Sequence, residues 1–513
     1  MSFTVSFACF LKSSAMEQAW QLQRRRAIAI PEFFFRLNCC QIKSSAEQFC
    51  PSSFFFFVLD NTAPCRSDQF FDSLTVTNYS IPLRKILGDM RVLVTGSSMF
   101  FAARLIQGLT AGGIEVTAAD HHWWSVGKSI PRTKWLRTPS LADDPTGYLS
   151  ALVRELKSRP YDLLLSTFEE SLLLAEFRDD VESLTALPLP PFETMWRLHH
   201  KPSLYDLCCE LNIPTPPTVP RPNPLDLERE ISALRFPVVL KLPTGNNSIG
   251  REYCLTMPEL VERFGLLHAH ESRRHAESPF VQQKIQGDAI YTLMLCHAGR
   301  KLGEVIYRPL RCFPENGGTS SHRESISHPG IAALTERLAA ATHWTGFLGL
   351  DFIVDHTNGT PYLIDANPRA NPAVQLGYLG GIDWTELLID ALRGKYPPSV
   401  TARPGVRNCT PLLDAMWIID GLRPQQGWAK NLFRRIRKVL RPDWKLDSGH
   451  DFLGHSEWLC HMAIGWQGFS AINTSLLTGK TIGHCFVHHG NYDPVTVRLM
   501  RQRQGRHMRS DVY

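Results

Sequence analysis

Two apolar, β-prone runs constrain this chain most. Residues 350–355 read Leu-Asp-Phe-Ile-Val-Asp, and residues 361–369 read Pro-Tyr-Leu-Ile-Asp-Ala-Asn-Pro-Arg. Asn358-Gly359 stands between them, a dipeptide that accepts the positive backbone angles of a tight turn, so the segment predicts an antiparallel hairpin. In that hairpin Asp351 lies opposite Asp365 and Asn367. Side chains alternate across a strand, so Asp365 and Asn367, two apart, share a face. Three oxygen-bearing side chains then converge, with Arg369 one step further along. Hard oxygen donors of this kind suit Mg²⁺ or Mn²⁺, leaving positions for water and phosphate oxygens. Asp351, Asp365 and Asn367 are therefore the expected metal ligands of a phosphoryl-transfer site. A solvated surface hairpin is the plain alternative. It gives no reason for two acids, an amide and an arginine in so tight a register beside a rigid Asn-Pro.

A second signal lies upstream. Residues 236–241, Phe-Pro-Val-Val-Leu-Lys, read as a buried strand that delivers Lys241 to the polar loop 244–250. An ammonium beside a loop of small residues is one way to grip phosphate. A lysine at a strand end is common, and it gains weight here from the oxygen-rich hairpin that follows.

Composition sets the outer bounds. A chain of 513 residues exceeds what one core serves, and roughly two to four domains are expected. Hydrophobic content of 43% with 20% charged residues describes a globular protein. The net charge of +6 fits anionic ligands without pointing to nucleic acid. Thirteen cysteines at irregular spacing argue against a disulfide framework and lead to an expected cytoplasmic location. No run approaches the roughly 18 to 20 apolar residues that a membrane helix needs.

Residues 1–89 carry Phe54, Phe55, Phe56 and Phe57 in a row but no sustained helical or strand period, and read as an extension or a start-site artefact. Arg24, Arg25 and Arg26 leave an organellar targeting segment open. From Met90 the pattern is strand, Gly turn, helix, strand, a βαβ unit spanning 90–200. The turn at Gly96 is not GxGxxG, so this unit is expected to be a scaffold rather than a dinucleotide site. Pro-rich stretches at 188–191 and 214–224 bracket a helix over 203–211. Residues 201–396 are mixed α/β, and composition shifts after Pro397-Pro398 into a C-terminal region, 397–513. There, residues 430–441 predict a basic amphipathic helix that could lie on an anionic membrane surface, cover the acceptor pocket, or pack with a solvated basic face. His484-Cys485 and His488-His489 lack matching distant ligands and read as structural rather than metal-binding.

The order of these features resembles the ATP-grasp superfamily, which includes biotin carboxylase, carbamoyl phosphate synthetase and D-alanine–D-alanine ligase. The resemblance covers about residues 90–396, and Asp365-Ala366-Asn367-Pro368-Arg369 is its most specific part. It implies an α/β protein: a Rossmann-like pre-ATP-grasp domain, a two-subdomain α+β ATP-grasp fold, and an extra, mainly helical C-terminal region. It implies ATP as cofactor, with Lys201 and Lys241 on the phosphates and the loop containing Ser248 closing over them. Residues 280–288 would form the hinge, where the backbones of Gln283 and Ile285 meet the adenine edge. Gln282 would assist there, and Asp288 would face the ribose.

The reaction implied is attack of a carboxylate on the γ-phosphate and passage of the acyl phosphate to an amine or other nucleophile. Arg369, with Arg308 as second choice, would contact the transferring phosphoryl group or the acceptor. A homodimer is allowed for. Two alternatives stay open: a carboxylase or carbamoyl-phosphate-type enzyme using bicarbonate, and a non-catalytic ATP-binding regulatory protein.

Overall fold

The structure is a computed structural model and describes residues 90–245, 250–315, 317–420, 428–439, 448–450 and 458–503. The expected extension, 1–89, and Ser248 lie outside the described residues.

Strands Arg91–Val94, Glu115–Asp120, Lys134–Arg137 and Leu163–Leu165 form one parallel sheet in the order third, second, first, fourth. Val92, Leu93, Val94, Leu163 and Leu164 are all fully buried, as parallel strands covered on both faces require. Helices Phe100–Ala111 and Pro145–Ser158 make the crossovers, the second capped by Asp144, whose carboxylate accepts from the Gly147 N–H at 2.8 Å. The turn after the first strand needs Gly96. Its φ is +64°, and a Cβ there would stand 2.7 Å from the Thr167 hydroxyl. Beneath it, buried Glu170 accepts from the Thr95 hydroxyl and from the N–H groups of Thr167 and Phe168 at 2.9 to 3.0 Å. Protein atoms fill this turn, and the same bonds fix Phe168 and Glu169.

Two further sheets face each other across a cleft. The smaller is antiparallel, in the order Thr218–Val219, Phe280–Gln283, Val238–Lys241, Glu252–Cys254. Its own core is Ile231, Leu240, Cys254, Leu260, Phe264 and Val281. The larger sheet runs Pro361–Asn367, Gly346–Asp355, Gly287–His297, Arg300–Phe313, Thr319–Ser325, Arg407–Cys409, Ser448–His450, and Val400–Thr401 pairs with Arg300–Phe313. Gly287 begins the long central strand because a Cβ there would lie 2.2 Å from the Val354 carbonyl of its neighbour. Strand Arg300–Phe313 does not end at Pro309. It continues through irregular pairing around Arg311.

The larger sheet also takes strands from beyond residue 396, so the compositional boundary there does not coincide with the sheet's edge. These strands are two or three residues long, too short to leave a periodic signal. Helix Pro411–Asp420 is tied down by Asp414, which takes both Nε and Nη2 of Arg311 at 2.8 and 3.0 Å.

The basic helix, Trp428–Val439, packs with one arginine inward. Arg435 is 6% exposed, donates to the Trp417 carbonyl and to Glu315, and covers the Trp417 ring at 4.8 Å, while Phe433 faces solvent. A helix packed with its basic face solvated was one of the expectations, and the buried acceptors explain why one arginine turns inward instead. No helix among the described residues is long and apolar enough to cross a membrane. The eight described cysteines form no disulfide.

Candidate functional site

The hairpin sets the site. Asp351 pairs with Asp365 and Gly349 with Asn367, so the oxygen-bearing side chains sit at one end as the sequence predicts. The register slips between Asp351 and Phe352, which leaves Ile364 as an extra residue on the second strand. This bulge turns Ile364 and Asp365 to the same side, and both line the cleft. Alternation alone could not have found it.

The cleft between the two sheets encloses a cavity of about 750 Å³. Asp351, Asp365, Asn367 and Arg369 reach it from the larger sheet, Lys241 and Gln282 from the smaller one. Lys201 enters from the first turn of helix Lys201–Glu210, which is begun by Pro202 and by a His200 side chain that accepts from the Ser203 N–H. Its ammonium lies 3.4 Å from Asp365 Oδ1 and donates to the Gly245 carbonyl at 3.0 Å.

Electrostatics make the cavity responsive. Burial, then the neighbouring Asp365 carboxylate, raise the Asp351 pKa to about 7. Burial lowers the Lys241 pKa to about 8, against the pull of Asp365. Lys241 donates to Gln282 Oε1 at 2.7 Å, and Gln282 in turn donates to the Thr218 hydroxyl at 2.9 Å. Gln282 therefore orients the lysine.

Arg369 is held from the parallel sheet. Its guanidinium covers the Phe168 ring at 4.5 Å, its Nε lies 3.9 Å from Glu169, and Nη2 donates to Asn367 Oδ1 at 3.0 Å. It is 11% exposed and faces the cavity with its fork preset.

Gln283 and Ile285 also line the cavity, although the Gln283 N–H is taken by the Pro217 carbonyl at 2.8 Å. Two predicted residues are not brought there. Asp288 is 82% exposed and pairs with His356 at 3.2 Å, because Gly287 and Ala289 take the inward positions of an alternating strand. Arg308 pairs with Glu324 at 2.5 Å, is 56% exposed, and does not line the cavity; its inward neighbour is Tyr307.

Sequence reasoning missed Arg251 and Asn371, which do line it. Arg251 follows the last glycine of the polar loop, a position that could have drawn notice. Asn371 donates to the Thr292 carbonyl at 3.1 Å and accepts from the Ala373 N–H at 2.9 Å, fixing the turn after Arg369. Its signal was the second Asn-Pro, Asn371-Pro372, four residues after the first.

No cluster of three or more His, Cys, Asp or Glu among the described residues is disposed to hold a metal. His489 stacks on His121 at 4.3 Å, and His488 approaches Asp143 at 3.3 Å.

No family model matches the chain, and no curated protein matches it in sequence. Solved structures do match in fold. The biotin carboxylase domain dimer of Hydrogenobacter thermophilus 2-oxoglutarate carboxylase, in complex with MgADP, ADP and bicarbonate, is 16% identical, with 62% of this chain and 73% of that one covered and a TM-score of 0.52. Campylobacter jejuni biotin carboxylase in its β,γ-ATP complex is 15% identical over 60% of this chain and 72% of that one, with a TM-score of 0.51. Thermotoga maritima phosphoribosylamine–glycine ligase is 15% identical over 62% and 78%, with a TM-score of 0.50. The chain carries the ATP-grasp fold.

Proposed function

We propose that this protein is an ATP-dependent ligase that forms an acyl phosphate from a carboxylate and passes the acyl group to an amine or other nucleophile. One observation carries the reading: two lysines, two carboxylates, an amide and an arginine from four separate segments converge on a single cavity between two sheets. The arrangement of domains follows the same reading: scaffold over 90–200, grasp over 201–396, and a C-terminal region that adds wall to it.

The donor set fits a divalent cation. Two neighbouring carboxylates, one with its pKa raised by burial and by the other, form a site that a cation would relieve. Asp351, Asp365 and Asn367 would hold Mg²⁺ or Mn²⁺, which would neutralise charge on the triphosphate. Lys201 and Lys241 bind phosphate oxygens, with Gln282 setting the direction of Lys241. Gln283, Ile285 and Gln286 offer the adenine edge its backbone and side-chain partners. Arg251 adds a cation opposite the larger sheet.

A carboxylate oxygen of the acceptor attacks the γ-phosphorus, and the bond to the β,γ-bridging oxygen breaks, with ADP taking the electron pair. Such a transfer needs positioning and charge stabilisation more than covalent help. Arg369, always protonated and clamped by Phe168, supplies both at the transfer point. The nucleophile then displaces phosphate from the acyl phosphate.

The test is ADP release by the full chain with Mg-ATP across a panel of carboxylates, with hydroxylamine trapping acyl phosphate as hydroxamate. Hydroxamate formed with an organic carboxylate supports the ligase. Stimulation by bicarbonate alone would move the protein to the carboxylase class, whose solved members share its fold. Tight ATP binding without turnover on any acceptor would make it a nucleotide sensor.

A further inference from the structure

A second, smaller pocket adjoins the cavity and shares Thr319, Arg369 and Pro372 with it. Its walls are apolar: Phe100 and Phe168 from the parallel-sheet unit, Phe313 from the larger sheet, Leu413 and Met416 from helix Pro411–Asp420, and Phe486 from helix Ile482–Val487. Phe100, Phe168, Phe313, Leu413 and Met416 are each 6% exposed or less. Arg369 is the one permanently charged residue in the lining. Burial lowers the pKa of His484, the other titratable residue there, which favours its neutral form.

The pocket and the cavity meet at Arg369. Arg369 lines the cavity together with the lysines and acids, while the Phe168 ring under its guanidinium belongs to the apolar wall. A carboxylate bound by Arg369 and facing the γ-phosphate would direct the rest of its molecule into this wall. Buried Arg323 keeps the junction in place, donating to the Pro372 carbonyl and to Thr410.

Resting on the ligase reading above, we propose that the acceptor is a monocarboxylate with an apolar body, held in a pocket that the C-terminal region completes. The space of about 70 Å³ admits on the order of five water-sized groups, which sets the body at about five carbons. The C-terminal region thus acts in specificity: helices Pro411–Asp420 and Ile482–Val487 supply Leu413, Met416 and Phe486.

The experiment compares hydroxamate formation by the full chain with Mg-ATP, hydroxylamine and acetate, butanoate, 4-methylpentanoate or glutarate. Apolar carbons entering such a pocket should raise kcat/KM by about a hundredfold or more from acetate to 4-methylpentanoate, with glutarate poorest relative to its length. Gly483 lines the pocket, and a Cβ there would meet only Phe313, at 3.8 Å, so Gly483→Leu fits and fills the space. That variant should cut the 4-methylpentanoate-to-acetate ratio at least tenfold, and Gly483→Ala by less. Equal rates for all four acids, a preference for glutarate, or an unchanged ratio in Gly483→Leu would overturn the proposal while leaving the ligase standing. Absence of hydroxamate with every acid would bring down the ligase reading and this one together.

Discussion

On its polar side, the reaction cavity draws Asp351, Asp365, Asn367 and Arg369 from one short hairpin, with Lys201 and Lys241 opposite. On its apolar side, the adjoining pocket draws one to four residues each from the first helix after Met90, the segment after the fourth parallel strand, the larger sheet and two C-terminal helices. The polar groups must be fixed to within a few tenths of an ångström, and a hairpin register does that locally. An apolar pocket needs only shape and dryness, which distant elements can provide by packing. On the proposed reading, chemistry is written locally and selectivity globally.

The largest effect should come from the hairpin. Asp365→Ala should reduce ATP turnover by roughly a thousandfold or more while far-UV circular dichroism stays native, since the proposed metal ligand and the partner of Lys201 are lost together. If Arg369 acts as proposed, Arg369→Ala should cost on the order of a hundredfold to a thousandfold in kcat, the size expected for removing one preset transition-state donor. Wild-type ADP release from both variants would erase the distinction between the two walls.

On the apolar side, stability should respond before chemistry. Asp414→Ala strands the charge of Arg311, which is 11% exposed, and should destabilise the fold by about 3 kcal/mol, read from the denaturant midpoint. A shift below about 0.5 kcal/mol would mean that helix Pro411–Asp420 is held by other contacts.

The smallest effect is a proton. The free Lys241 pKa lies at about 8, below its ordinary value of 10.5, and a triphosphate beside it favours the charged form and raises it again. At pH 7 the lysine is protonated in both states, so ATP binding takes up little. At pH 9 the free lysine is mostly neutral, and binding should take up close to one proton. Calorimetry in buffers of different ionisation enthalpy measures this, and Lys241→Met should remove it. Uptake that persists in Lys241→Met would assign the proton elsewhere.

What could be seen in the sequence follows the same division. The βαβ start, the hairpin, and the convergence of Asp351, Asp365 and Asn367 were legible because period-two alternation and an Asn-Gly turn are local signals. Lys241 was legible from its strand end and polar loop and Lys201 through the resemblance, and the structure brings both to the cavity. Arg308 and Asp288 went astray for a local reason as well: each stands one residue from an inward position, and strand phase reverses with a one-residue slip. The apolar pocket and the strands beyond residue 396 left no trace, since their residues become neighbours only after the sheets have formed. The inward turn of Arg435 was hidden too, because its acceptors, the Trp417 carbonyl and Glu315, lie elsewhere in the chain.

Titration of ATP into the wild-type protein and into Asp351→Asn/Asp365→Asn, with and without Mg²⁺, tests the core of the account most directly. Tight, Mg²⁺-dependent binding is expected in the wild type, with loss of that dependence in the double variant. Mg-ATP binding of equal strength to both proteins would contradict it.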